Sequence, residues 1–261
     1  MTIRAILFDL GDTLWHFPQM PPFEVIRGET VRRVSDLVRT WGVEPEGDLL
    51  FLGRDIRFAV ERAVEEAYNS DCISPHFPTL AQEVAASKGV IISDEQAVEL
   101  WHTWNLGGVF LGRALFPEVL PTLEQLRQRG YRIGSVTNRA LGGDPFREEL
   151  EHHGLLDYFE VLSISCDVGY MKPHAAIFQH ALEALDVAPE ETMMVGDSLR
   201  ADVAGAQALG MTAVWKRNDG SQEEEKPLTL PGEQGPVVVV PDYTVEALDE
   251  LMGLPIFGAG G

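Results

Sequence analysis

Ala5-Ile6-Leu7-Phe8-Asp9-Leu10-Gly11-Asp12-Thr13 decides the fold class, because four unbroken apolar residues run into an acidic, glycine-containing stop. So short and uniformly apolar a run suits a strand covered on both faces, since a half-exposed strand would alternate. Four similar runs recur much later, over 131–136, 159–164, 192–195 and 212–215. Between them, apolar residues return every three to four positions: Leu120, Leu123 and Leu126 with Gly130 as a stop, then Ile177, Ala181, Leu182 and Leu185. Strand alternating with helix implies an α/β chain with a Rossmann-like parallel-sheet core and helices on both faces.

Residues 20–112 interrupt this alternation with helical periodicity alone, which predicts an inserted all-helical domain; the core is then 1–19 together with 113–261. Val34, Leu37, Val38 and Trp41 form one stripe, and Ile56, Ala59, Val60, Ala63, Val64 and Ala67 another. A third helix starts at Ser93, whose spacing to Gln96 is that of a capping box, and places Ala97, Leu100, Trp101 and Trp104 on one face. The tryptophans read as core rather than as a ligand platform. Towards the C-terminus, 218–236 reads as a polar loop, Val237-Val238-Val239-Val240 as a last strand, 245–251 as a closing helix, and 258–261 as a fraying end.

Twenty Lys and Arg against 41 Asp and Glu give a net charge of −21, which disfavours nucleic acid and anionic membrane surfaces as partners. Cys72 and Cys166 form neither a disulfide framework nor a metal knuckle. With no secretory leader pattern or membrane-length apolar run, the expectation is a cytoplasmic protein.

In an open parallel sheet, ligands bind beyond the carboxyl ends of the strands. Asp9-Leu10-Gly11-Asp12-Thr13 follows the first run, Thr137-Asn138 the second and Gly196-Asp197-Ser198 the fourth, with Asp202 one turn further. Lys172-Pro173 precedes the helix after the third. If these ends meet, several carboxylates converge on one ammonium, and such a cluster raises its own pKa values unless a cation enters. Hard oxygen ligands suit Mg²⁺.

Taken together and in this order, Phe8-Asp9-Leu10-Gly11-Asp12-Thr13-Leu14, Val136-Thr137-Asn138, Lys172-Pro173 and Gly196-Asp197-Ser198-Leu199-Arg200-Ala201-Asp202 resemble the four motifs of the haloacid dehalogenase-like hydrolase superfamily. The stretch 203–211 is similar to that family's text after its fourth motif, and the insertion at 20–112 sits where the family carries a helical cap. The resemblance implies a Mg²⁺-dependent phosphohydrolase of small organic phosphates working through an aspartyl-phosphate on Asp9. It further implies metal ligation by Asp9, Asp197 and the Gly11 carbonyl, phosphate contacts from Thr137 and Asn138, charge neutralisation by Lys172, and a supporting role for Asp202.

One position departs from the pattern. The family's phosphatases usually carry a second aspartate two residues after the nucleophile, and Gly11 stands there. Asp12 can replace that acid only if the loop turns it inward, whereas neighbouring residues leaving a strand tend to point oppositely. His16, His76 and His102 are further candidates for the proton transfer. Two other readings therefore stand beside the phosphatase: a haloacid dehalogenase using the same nucleophile, and a non-catalytic protein that binds phosphate and metal.

Overall fold

The computed structural model describes residues 2–218 and 235–258. Ala5–Phe8 (β1), Arg132–Thr137 (β2), Val161–Ile164 (β3), Thr192–Gly196 (β4), Thr212–Lys216 (β5) and Tyr243–Val245 (β6) form one parallel sheet, ordered β3-β2-β1-β4-β5-β6. The order reverses between β1 and β4, so the crevice at that switch point lies beside the residues that follow those two strands. All four residues of β1 are fully buried. Ile6 and Phe8 pack with Val119, Leu123, Phe146 and Leu248 on one face, while Ala5 and Leu7 pack with Ile177, Phe178, Leu182 and Val203 on the other. A strand sandwiched in this way has no use for a polar position, which is why its sequence does not alternate. The predicted face of the helix Val119–Gln128 shifts by one residue: Val119, Leu123 and Leu126 are buried, and Leu120 is exposed.

Two chain crossings link the sheet to the helical insertion. They pair with each other as a short antiparallel ribbon, Trp15–His16 against Ala114–Leu115. Within the insertion, Phe23–Thr40 (α1), Leu52–Tyr68 (α2), Phe77–Ser87 (α3) and Asp94–Trp104 (α4) share their own apolar core around Val38, Ile56, Phe77, Leu100 and Trp101. The Ser93–Gln96 capping box forms at the start of α4. Trp101 and Trp104 are packing residues whose indole nitrogens donate to the Ala140 and Gly53 carbonyls. The α2 stripe is buried at Ile56, but Val60, Ala63, Val64 and Ala67 are only half-buried.

The C-terminal reading is corrected. The edge of the sheet is Tyr243–Val245, paired with β5, and the helical turn after it is Leu248–Gly253. Val237–Val240 is not a sheet strand: Val239 is buried, while Val238 and Val240 face solvent. The side chain and backbone of Asp242 bind the Ala213 main chain, so the register along β5 begins after Pro241. Most of the loop read over 218–236, and most of the end at 258–261, lie outside the described residues.

Candidate active site

Four segments that leave the sheet at one rim bring the charged groups together. Asp9 directly follows β1, and its amide donates to the Val195 carbonyl at 2.9 Å, so its backbone continues the ladder one residue past the strand. Asp197 follows β4. Ser198 caps the helical turn Leu199–Ala204 by accepting from the Ala201 amide, and its own amide donates to Asp202 Oδ2 at 3.0 Å. This reciprocal cap folds the Asp202 carboxylate back over Gly196. A Cβ at residue 196 would lie 2.2 Å from that carboxylate, so only glycine allows the approach. Carboxylate oxygens of Asp9, Asp197 and Asp202 all lie within 4.8 Å of one another.

Lys172 completes the group. Its side chain is 2% exposed, and Nζ donates to Asp9 Oδ1 and to Asp202 Oδ1, each at 2.6 Å. Asn138, just past β2, grips the main chain of Lys172: its Oδ1 accepts from the Lys172 amide at 2.7 Å and its Nδ2 donates to the Lys172 carbonyl at 3.0 Å. The amide of Asn138, expected as a substrate contact, is turned to the lysine backbone and holds that residue in place. Thr137 is the buried last residue of β2. On the far side, the insertion reaches the same loop, with Met171 donating to the Cys72 carbonyl at 2.7 Å and Ser74 to the Gly169 carbonyl at 2.9 Å. Arg200 adds a second tie, its guanidinium bonding the Tyr68 carbonyl and Asn69 Oδ1 while lying over the Tyr68 ring.

Three carboxylates face one ammonium, and the imbalance shows in their titration. Burial, reinforced by the charges of Asp9 and Asp202, pushes the Asp197 carboxyl up to about 8. Burial also raises Asp202, against the pull of Lys172. For Lys172, burial alone would lower the pKa, but the two carboxylates together outweigh it and hold the ammonium charged. Among the described residues no ion pair reaches Asp197. A set of hard oxygen donors with uncompensated negative charge fits a small divalent cation. Asp202 already accepts on both oxygens, from Lys172 and from Ser198, so it braces the lysine and the turn.

The Gly11 side is different. Gly11 is exposed, and a Cβ built there meets nothing nearer than Asp9 Oδ2 at 4.0 Å, so this position has room for a side chain. Asp12 is exposed with φ at +51°; its carbonyl accepts from Asn218 Nδ2 at 2.7 Å and from Lys216 Nζ at 3.3 Å. The turn thus uses the Asp12 backbone, and the exposed residue's carboxylate is still near enough to add to the negative charge felt by Asp197. His16 stacks on Phe116 with ring centroids 4.2 Å apart. His76 bonds Thr79 and, with His102, lines a separate cleft of about 490 Å³ between the insertion and the loop 140–145; Asp9, Asp197 and Asp202 do not line it.

Sequence reasoning missed Lys216, and it placed Gly196 and Arg200 in the fourth motif without giving either a task. Lys216 was within reach, since it is the polar residue ending the fifth apolar run, where the strand-end rule applies as it does at Asp9. The approach of Asp202 to Gly196 depends on a turn conformation that no local pattern announces.

The parallel sheet with an acidic cluster beyond its strand ends has the architecture of a hydrolase of the α/β class. The profile of the haloacid dehalogenase-like hydrolases matches residues 3–210, and the chain belongs to that family. It is similar to a glyceraldehyde 3-phosphate phosphatase of Methanopyrus kandleri, 31% identical over 85% of this chain and 88% of the relative. It is also similar to a ribulose-1,5-bisphosphate 5-phosphatase of Halopiger xanaduensis, 33% identical over 96% of this chain and 98% of that one. Among solved structures, a phosphatase of this family from Thermococcus onnurineus superimposes with a TM-score of 0.54 at 28% identity, covering 96% of this chain and 97% of its own. Among the described residues, no helix is long and apolar enough to cross a membrane.

Proposed function

We propose that this chain is a Mg²⁺-dependent phosphatase of small organic phosphates, with residues 20–112 as a cap over a catalytic core of 1–19 and 113–261. The observation that carries this reading is the position of Lys172 Nζ, 2.6 Å from both Asp9 and Asp202, with Asp197 closing the acidic cluster. Lys172 holds Asp9 Oδ1, which leaves Oδ2, on the Gly11 side, to attack phosphorus. The new bond is an acyl phosphate on Asp9; the ester P–O bond breaks and the alcohol oxygen leaves with the electron pair. Water then attacks the phosphorus, releases inorganic phosphate and regenerates the carboxylate. Lys172 and Thr137 neutralise and hold the phosphoryl oxygens. Asp9, Asp197 and the Gly11 carbonyl would hold the cation, which when bound screens the carboxylate nucleophile from the phosphate dianion.

With Gly11 in the acid position and Asp12 exposed, the leaving oxygen departs without a proton from this loop. Substrates whose leaving group is a weak base are then favoured. The relatives named as glyceraldehyde 3-phosphate and ribulose-1,5-bisphosphate phosphatases support the substrate class, and the excess of carboxylates argues against the dehalogenase reading, since halide displacement needs no cation. The free thiols of Cys72 and Cys166 suit a reducing, cytoplasmic setting. Turnover of an aryl phosphate in Mg²⁺, abolished by chelator and by Asp9→Asn, is the expected result. Chloride release from a 2-haloacid by metal-free protein would replace this reading with the dehalogenase. Magnesium and phosphate binding without product would replace it with a binding protein.

A further inference from the structure

Lys216 is a buried cation that the reaction above does not use. It ends β5, whose pairing of Trp215 with Gly196 sets the next residue of each strand, Lys216 and Asp197, at the same rim. The side chain is 1% exposed, yet among the described residues no carboxylate lies within ion-pair distance of it. Its Nζ instead donates to Asn218 Oδ1 at 2.6 Å and to the Asp12 carbonyl at 3.3 Å, and sits 3.9 Å from the centre of the Phe116 ring. Burying the ammonium carries a desolvation cost that the more distant charges of Glu118, Asp197 and Asp12 only partly offset, and a methionine of similar length would fill the space without that penalty. Stability alone therefore gives no reason for the charge.

What the ammonium does is reach a strained turn. Asp12 sits in the left-handed region at φ +51°, which a residue with a Cβ occupies only when its surroundings hold it there. Lys216 and Asn218 both donate to its carbonyl and Trp15 accepts from its amide at 2.8 Å, so the turn is held from both sides. One residue earlier on β5, the Trp215 indole donates to the Asp197 carbonyl at 2.7 Å. Consecutive side chains of one strand thus fix the backbones of both acidic loops, one from each face of the sheet. Phe116, under the ammonium, in turn stacks on His16 across the ribbon.

We propose that Lys216 is a positioning residue that fixes the Asp12 carbonyl, and through it the Gly11 turn, so that the acidic cluster binds its divalent cation. The proposal rests on the reading of that cluster as a Mg²⁺ site. It has a distinctive sign. As a charge alone, Lys216 repels a cation, and its removal would tighten Mg²⁺ binding; as a clamp, it favours binding, and its removal weakens it.

The test is calorimetric titration of Mg²⁺ into the metal-free full chain, with the thermal midpoint in chelator measured alongside. For Lys216→Met we expect the Mg²⁺ dissociation constant to rise about tenfold, the equivalent of one hydrogen bond from a charged donor, while the midpoint stays level or rises. Asn218→Ala, which removes the second donor to the same carbonyl, is expected to shift affinity in the same direction by about threefold. Unchanged or tighter Mg²⁺ binding by folded Lys216→Met overturns the proposal. Should that variant fail to fold, unchanged affinity in Asn218→Ala does so. A wild-type chain that takes up no Mg²⁺ removes both the metal reading and this proposal, whereas normal wild-type binding with unaffected variants removes only the latter.

Discussion

The Lys172 corner and the Gly11 corner of the same site are built to opposite standards. Lys172 is buried, bonded at Nζ to two carboxylates, gripped through its main chain by Asn138, and tied next door to the insertion through Cys72. Gly11 offers a carbonyl and open space. In the proposed reaction the contrast would separate two tasks: orienting the nucleophile requires a group fixed to a fraction of an ångström, whereas protonating the departing oxygen would be left to solvent or substrate.

Breaking the strong corner should give the largest effect. Lys172→Met leaves two buried carboxylates without their cation, a change that typically costs about 3–5 kcal/mol. We expect aryl phosphatase activity to fall about a thousandfold and the thermal midpoint in chelator to drop, with Mg²⁺ recovering part of the stability. Parallel melting curves and rates check this, and an active, fully stable variant would refute the assignment.

Filling the weak corner should sharpen the contrast. Gly11→Asp places a carboxyl beside Asp9 Oδ2 in space that is free, and general acid catalysis is worth about a hundred- to ten-thousand-fold. A gain of about a hundredfold is expected on alkyl phosphates and little on aryl phosphates, read as kcat/KM for the two classes. Equal gains on both would mean that the added carboxyl does not act as an acid.

Proton competition at Asp197 gives a smaller effect. Its pKa is raised from 3.8 to about 8, so the folded metal-free chain holds this proton more tightly than the unfolded chain does. The resulting stability is complete below pH 3.8 and is lost as pH rises through about 8. Mg²⁺ must displace that proton, and its affinity should rise by up to about tenfold per pH unit below the upper value, then level off. Calorimetry in buffers of different ionisation enthalpy counts the released proton. At the bottom of the scale, His16→Ala should leave turnover unchanged, because that ring is engaged with Phe116.

Much of the sheet was legible because β1 to β5 are largely buried and spelled by short, mostly apolar runs, with Ser135 and Ser163 as buried exceptions. Val237–Val240 satisfies the same rule and is not in the sheet, while Tyr243–Val245 is a strand despite its polar Thr244, because edge pairing depends on which segment meets the free side of β5. Asp9, Asp197 and Lys172 were legible as polar residues just beyond strand ends. Asn138 was legible as a strand-end residue, but its hydrogen bonding to the Lys172 backbone is a relation between positions 34 apart, which appears only once the loops are folded together.

The short pairing of residues 72–74 with 169–171 has a consequence for the catalytic cycle. If the helical layer swings outward to admit a substrate, the Cys72 carbonyl must release the amide of Met171, the neighbour of Lys172. Any such opening is felt one residue from the ammonium, while Asn138 keeps its grip on the Lys172 main chain from the sheet side.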